Sequence, residues 1–307
     1  MLRPTLVATA LLALLTPSHC WWRNGHLITA RIAYDHLLTT NPSIIAKAEH
    51  MLAGLSVFTT FEGDYPFVEC ATFADEIKDE GFEDQSHWHY VDTPLFAEGY
   101  SAQVYPEIYN VTWSISEMVT YLSKAQSPQN DPSVSRKLGE GFNLRLLIHY
   151  VGDVHQPLHT VSRYSKEHPQ NDQGGNLFEL QEMEEQIDEL HALWDSVVTT
   201  FSHDIIPPFS PQDWLYIGQA SANITSLYPL TSFPDIDAPH TEWAKEGYEL
   251  ARDYVYAGIV EGGMPSEEYL EQGKRVAWRQ LAKGGYRLAS LLEKMWTHKQ
   301  QETVFLN

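Results

Sequence analysis

Asn143-Leu-Arg-Leu-Leu-Ile-His149-Tyr-Val-Gly-Asp153-Val154 runs straight on into His155-Gln-Pro157-Leu-His159. From Asn143 to Val154 the pattern is that of a strongly apolar helix, and His149 and Asp153 are set into it four residues apart. Residues i and i+4 share a helix face, so an imidazole and a carboxylate aim at one point, as a zinc ion requires. The same spacing recurs at His191 and Asp195 in Leu190-His-Ala-Leu-Trp-Asp195, and His159 falls between the two pairs. One such pair is ordinary on a solvated helix. Two pairs with a further histidine between them point to metal.

Outward from this stretch, helical periodicity dominates and the fold class is all-α. Leu27 to Leu38 forms one amphipathic segment, and Pro42, suited to a first helical turn, opens a second through Leu52. Glu184 to Val198, Trp243 to Ile259 and Glu267 to Trp296 read as further helices, the last with Ala277, Leu281, Leu288 and Leu292 along its core stripe. Two stretches read as loops that could border a cleft: Ser162 to Asn176, rich in turn chemistry, and the proline-rich Ile205 to Asp213.

The first twenty residues read as a secretory signal, with Arg3 ahead of an apolar core from Leu6 to Leu15, then Pro17, and small Ser18 and Cys20 before a cut. Lipidation of Cys20 is the weaker alternative, because Pro-Ser-His is a poor match ahead of a lipidated cysteine. Removing 20 of 307 residues leaves 287 for a single catalytic domain, residues 21–307, beginning at Trp21. With Cys20 gone, Cys70 has no internal disulfide partner and is most simply a buried small hydrophobe. No other apolar stretch approaches the roughly 20 residues of a membrane span. The product is therefore expected to be secreted or lumenal, with Asn110-Val-Thr and Asn223-Ile-Thr as glycosylation acceptors.

The formal charge is −21, and −22 without Arg3. Such a chain repels nucleic acid over most of its surface, which excludes a basic-groove binder. A local well remains open to it, since three zinc ions would bring +6 against −3 from Asp75, Asp153 and Asp195, with screening over about 8 Å.

Trp21-Trp-Arg-Asn-Gly25-His26 puts a histidine five residues behind a newly cut amino terminus, an arrangement suited to chelation by terminal nitrogen, carbonyl and imidazole together. Trp-x4-His, Ala74-Asp75, His89-Tyr-Val-Asp92, His149-x3-Asp153-x5-His159, Gly174-Gly-Asn176, His191-x2-Trp194-Asp195 and Gly285-Tyr-Arg-Leu-Ala fall in one order along nearly the whole mature chain. In this the chain resembles the secreted zinc-dependent single-strand nucleases and 3′-nucleotidases of fungi, plants and protozoa, distant relatives of zinc phospholipases C. The resemblance implies a helical, phospholipase C-like fold with three zinc ions in a cleft. It implies Asp75, His89, His149 and Asp153 at the first zinc, and His159, His191 and Asp195 at the second. Trp21, His26 and bridging Asp153 would hold the third. Read as an extended segment, His87-Trp-His89 puts both imidazoles on one face and spacing leaves both as alternatives, as it leaves His155 beside His159; the family's runs select His89 and His159, and Pro157 also favours His159.

The resemblance also implies a reaction. Zinc lowers the pKa of bound water from about 15.7 to about 7, so a nucleophile for in-line attack on phosphorus is available near neutrality. Products would carry 5′-phosphates. Asp75 would orient the nucleophile, and Lys78, one turn on, would meet the phosphoryl oxygens. Its ordinary reading is a surface lysine paired with Glu76 or Asp79. Tyr90 would stack on a base and Asp92 hydrogen-bond its edge, or either is structural. The implied substrates are single-stranded RNA or DNA and 3′-nucleotides, with no stable protein partner. The rival activities are a zinc phospholipase C and a non-catalytic secreted zinc-binding protein.

Overall fold

The computed structural model describes residues 21–297 except 60–61, 79, 106, 125–133, 184–186 and 202–204. The expected signal, residues 1–20, and Asp79, one of the two carboxylates considered for Lys78, lie outside the described residues. In chain order the helices are α1 (Arg23–Thr40), α2 (Pro42–Leu52), α3 (Pro66–Glu69), α4 (Phe73–Lys78) and α5 (Val111–Lys124). After them come α6 (Val134–Asp153), α7 (Leu190–Asp195), α8 (Pro211–Leu227), α9 (Trp243–Leu250) and α10 (Glu267–Thr297). Pro42 sits in the first turn of α2, where its missing N–H costs nothing. Ser210 opens α8 with a capping box to Asp213, so the expected Ile205–Asp213 loop runs into a helix, not around one.

Helix α6 is the axis of the core. Every residue from Leu144 to Asp153 is buried, the condition of a helix that is apolar on all sides. Arg145, the cation inside that run, is neutralised by Glu62, whose Oε1 and Oε2 accept from it at 2.6 and 2.5 Å. Helix α1 packs between α6, α8 and α10. Its crossing with α10 requires glycine: a Cβ on Gly285 would stand 2.6 Å from Ile32 Cβ and 2.9 Å from the Thr29 carbonyl oxygen.

Among the described residues the all-α expectation holds apart from one short parallel ribbon, β1 (Pro94–Phe96) with β2 (Ser162–Tyr164), so the expected 162–176 loop begins as a strand. Two other expectations are corrected. The segment 184–198 is helical over Leu190–Asp195, and residues 184–186 lie outside the described residues. It stops there because Val197, Val198 and Thr199 adopt φ of 54°, 52° and 59°, a left-handed turn costing roughly 1–2 kcal/mol per residue that folds both valines into the core. The segment 243–259 is α only to Leu250 and then a π turn, Ala251–Val255. That turn leaves the Val255 carbonyl to accept from Tyr269 Oη and brings Tyr256 Oη to Asp172, each at 2.7 Å.

Candidate metal centre

The C-terminal turn of α6 delivers His149 and Asp153 to the middle of the molecule, where His26, Asp75, His89 and His159 meet them, while His191 and Asp195 face His159. His26 Nε2 stands 3.3 Å from Asp153 Oδ1, while His89 Nδ1 and His149 Nε2 stand 3.0 and 3.2 Å from Asp153 Oδ2. Asp75, on α4, faces the same two imidazoles at 3.7 and 3.8 Å. His159 and His191 face Asp195 at 3.9 and 3.2 Å, and His159 Nδ1 lies 3.8 Å from Asp153 Oδ1. Three groups able to hold a metal ion result: His26–His149–Asp153, Asp75–His89–His149 and His159–His191–Asp195.

Backbone carbonyls set the tautomers. His149 Nδ1–H donates to Ala71 O at 2.6 Å, His159 Nδ1–H to His89 O at 2.8 Å and His191 Nδ1–H to Gly174 O at 2.7 Å. Each bond turns Nε2 inward, the arrangement that orients imidazole ligands at metals. Gln156, fully buried, donates to Asp195 Oδ1 at 2.6 Å and accepts from the Leu158 amide. These supports escaped the sequence reading because a carbonyl carries no residue signature. Gly174-Gly-Asn176 was visible as a motif, but its task of orienting His191 was not.

Trp21 is fully buried, its indole Nε1 donates to Gly152 O at 3.0 Å, and the Trp22 amide donates to Asp195 O at 2.9 Å. The start of the described chain is thereby stitched to both ligand helices. The His26 ring stacks on His149 with centroids 3.9 Å apart.

Charge follows the same pattern. Burial would raise the Asp153 carboxyl, but His149, His26 and His89 hold it well below the ordinary range. Asp75 is likewise held low against its own burial by His149, Lys78 and His89. Burial lowers His26 and His159 and brings His89 down to about 4, favouring the neutral imidazole a metal needs. His149 and His191 go the other way despite burial, the first raised by Asp153 and Asp75, the second to about 9 by Asp195.

The residues present fit divalent zinc. The donors are imidazole nitrogen and carboxylate oxygen without thiolate. Both nitrogens of buried His26, His159 Nε2 and Asp153 Oδ1 lack a hydrogen-bond partner among the described residues. Buried polar atoms left in that state cost about 1–3 kcal/mol each, a cost a coordinated cation removes.

His87 and His89 separate cleanly. Residues Glu83–His89 form a 3-10 helix, not the extended segment expected, so His89 is buried in the centre and His87 is exposed, its Nδ1 2.9 Å from Tyr90 Oη. His155 is buried outside the centre, 3.0 Å from Arg287 Nη1 and donating to Val151 O. Lys78 Nζ lies 3.0 Å from Asp75 Oδ1, and Asp75, with 16% of its side chain exposed, marks the open side of the centre. Tyr90 is half-buried nearby; Asp92 accepts from Ser162 Oγ at 2.5 Å, and burial raises its carboxyl. Of the two sequon asparagines, Asn223 is exposed on α8, whereas Asn110 caps α5 by accepting from the Thr112 and Trp113 amides. Cys70 is a buried free thiol. No helix among the described residues is long and apolar enough to cross a membrane.

The S1/P1 Nuclease family profile matches residues 21–297. Endonuclease 2 of Arabidopsis thaliana is 28% identical over 306 residues, covering 91% of each chain. Endonuclease 1 and Endonuclease 4 of the same plant are each 26% identical, covering 90% and 91% of this chain and 87% and 90% of their own.

Proposed function

The chain belongs to the S1/P1 nuclease family, and from that membership and the geometry of the centre we propose a secreted, three-zinc endonuclease and 3′-nucleotidase acting on single-stranded RNA and DNA. Hydrolytic phosphodiester cleavage of nucleic acid is the family's chemistry; the metal, the strand preference and the terminal phosphatase activity are our reading. One observation carries it: three His/Asp groups meet in one buried centre, two sharing His149, with Asp153 within 4 Å of imidazoles from all three.

When bound, zinc supplies Lewis acidity and a water acidic enough to act as nucleophile near neutrality. The chain's own residues do the rest. Asp153 presents one carboxylate oxygen to His26 and the other to His89 and His149, so a single anion couples neighbouring positions. Asp75, at the open side, orients the attacking oxygen, and Lys78 beside it holds its ammonium where phosphoryl oxygens arrive. Tyr90 offers a ring for a base, worth about 1–3 kcal/mol and tolerant of base identity, and Asp92 accepts from the base edge. A base must leave its duplex to reach so recessed a centre, hence the preference for single strands.

Removal of residues 1–20 would free the amino group of Trp21, which with its carbonyl and His26 completes the third position. Export and a glycan on Asn223 belong to the same reading. The test is zinc counting on correctly processed protein together with product analysis. Three equivalents and 5′-mononucleotides from single-stranded RNA or DNA are expected. Phosphocholine from lecithin, without nucleotide release, would reject the reading.

A further inference from the structure

Arg275, Arg279, Lys283 and Arg287 recur every fourth residue along α10 and form one inclined stripe of four cations. The lower half of the stripe is buried and neutralised. Lys283 bonds Asp235 at 2.7 Å and also Glu246; Arg287 bonds Glu246 at 2.9 Å and Asp235 at 3.2 Å. Two carboxylates are thereby consumed by two cations.

The upper half has no such partners. Arg279 lies over the Phe233 ring at 4.7 Å, and neither it nor Arg275 makes an ion pair among the described residues. Both line a cavity of about 310 Å³ with Tyr228, Tyr254, Gln280 and the already engaged Glu246. That size is at the lower end for small-ligand pockets, roughly 300–1,000 Å³. Gln280 is 1% exposed; its Nε2 donates to the His155 carbonyl at 3.4 Å, and its Oε1 has no hydrogen-bond partner among the described residues. In a chain of net charge −21, this cavity sets two guanidinium groups that make no ion pair among the described residues beside two phenol rings.

We propose that this cavity is a second nucleotide-binding site, distinct from the metal centre. A phosphate ester meets Arg275 and Arg279, for which guanidinium is the natural partner. The base lies against Tyr254 or Tyr228. The nucleotide is either free or part of a strand whose scissile bond occupies the metal centre; the strand version rests on the nuclease reading above. His155 joins the two sites, accepting from Gln280 and following Asp153 by two residues.

The test is calorimetric titration of the zinc-loaded protein, processed to begin at Trp21, with 5′-AMP, for wild type, R275A/R279A and the shape-conserving R275Q/R279Q. Both double variants should lose one equivalent of bound 5′-AMP while melting as wild type. Inorganic phosphate should compete for that equivalent; adenosine should not. Equal stoichiometry and affinity in wild type and variants overturns the proposal, and because titration needs no turnover, that failure is distinct from a failure of the nuclease reading. Kinetics then identify the source. If a strand occupies the cavity, KM for a 20-nucleotide single strand rises about tenfold, that for a dinucleotide is unchanged, and the log–log salt slope falls by roughly 1.4 for two lost phosphate contacts. If the occupant is a free nucleotide, both KM values stay constant.

Discussion

Gly152→Ala tests whether His26 belongs to the working centre. Gly152 precedes Asp153 on α6, and a Cβ there would lie 2.6 Å from His26 Nδ1 and 3.1 Å from Cε1. Ordinary contact begins near 3.4 Å, so the ring must retreat by about 0.8 Å. It has little room, being 1% exposed and stacked on His149 at 3.9 Å. Sites of this kind tolerate about 0.5 Å, and a misplacement of about 1 Å costs on the order of 10²-fold in rate, or about 2.7 kcal/mol of barrier. The assay is kcat on single-stranded RNA with zinc content on the same preparation, plus melting after chelation. The variant should show about a hundredfold lower kcat and one zinc fewer. Overpacking should also cost the chelated protein about 1–3 kcal/mol. A kcat within twofold of wild type at full zinc would refute the placement of His26.

Three further outcomes follow from the same geometry. Asp153→Asn keeps the shape but removes the anion facing His26, His89 and His149, so activity should vanish and stability fall by about 3–5 kcal/mol; unchanged zinc content and rate would reject its bridging role. Two residues left ahead of Trp21 should remove one zinc and most turnover, and normal activity from a homogeneous extended protein would reject the terminal chelate. Asp235 is held below its usual value of 3.8, against its own partial burial, by Lys283 and Arg287. A depressed carboxyl contributes stability that is present above about pH 4 and lost as pH falls through the folded value. The melting deficit of Asp235→Asn relative to wild type should therefore be full at pH 6 and close below pH 4; a constant gap would sink this account.

Much of the centre was readable before any coordinates. His149 and Asp153, and His191 and Asp195, declare themselves because the helical period brings residues four apart onto one face. The apolar run around the first pair announces a buried helix in the same way. Less was readable where backbone geometry outweighs local pattern. The helix expected through Val198 ends at Asp195 in a left-handed turn, and the segment around His87 is 3-10, not extended. Helices α5 and α8 were not expected from periodicity: α5 begins at the Asn110 sequon and α8 inside the proline-rich 205–213 stretch, where turn chemistry covers the start of the helical period.

Sequence by itself determined the helical class, the donor chemistry and the two His-x-x-x-Asp pairs, because periodicity and residue type are local properties of the chain; Asp75 and His89 entered as candidates only through the family resemblance. Tertiary structure decided which donors share a metal group, that His89 and not His87 faces inward, and that carbonyls of Ala71, His89 and Gly174 turn the imidazoles. It also decided that, of the stripe Arg275, Arg279, Lys283 and Arg287 on α10, the last two are answered by Asp235 and Glu246 while the first two are not. The reason is one of range: coordination, hydrogen bonding and charge neutralisation act over a few ångströms in space. His26 and Asp153, 3.3 Å apart, meet only when helices distant in the chain pack together.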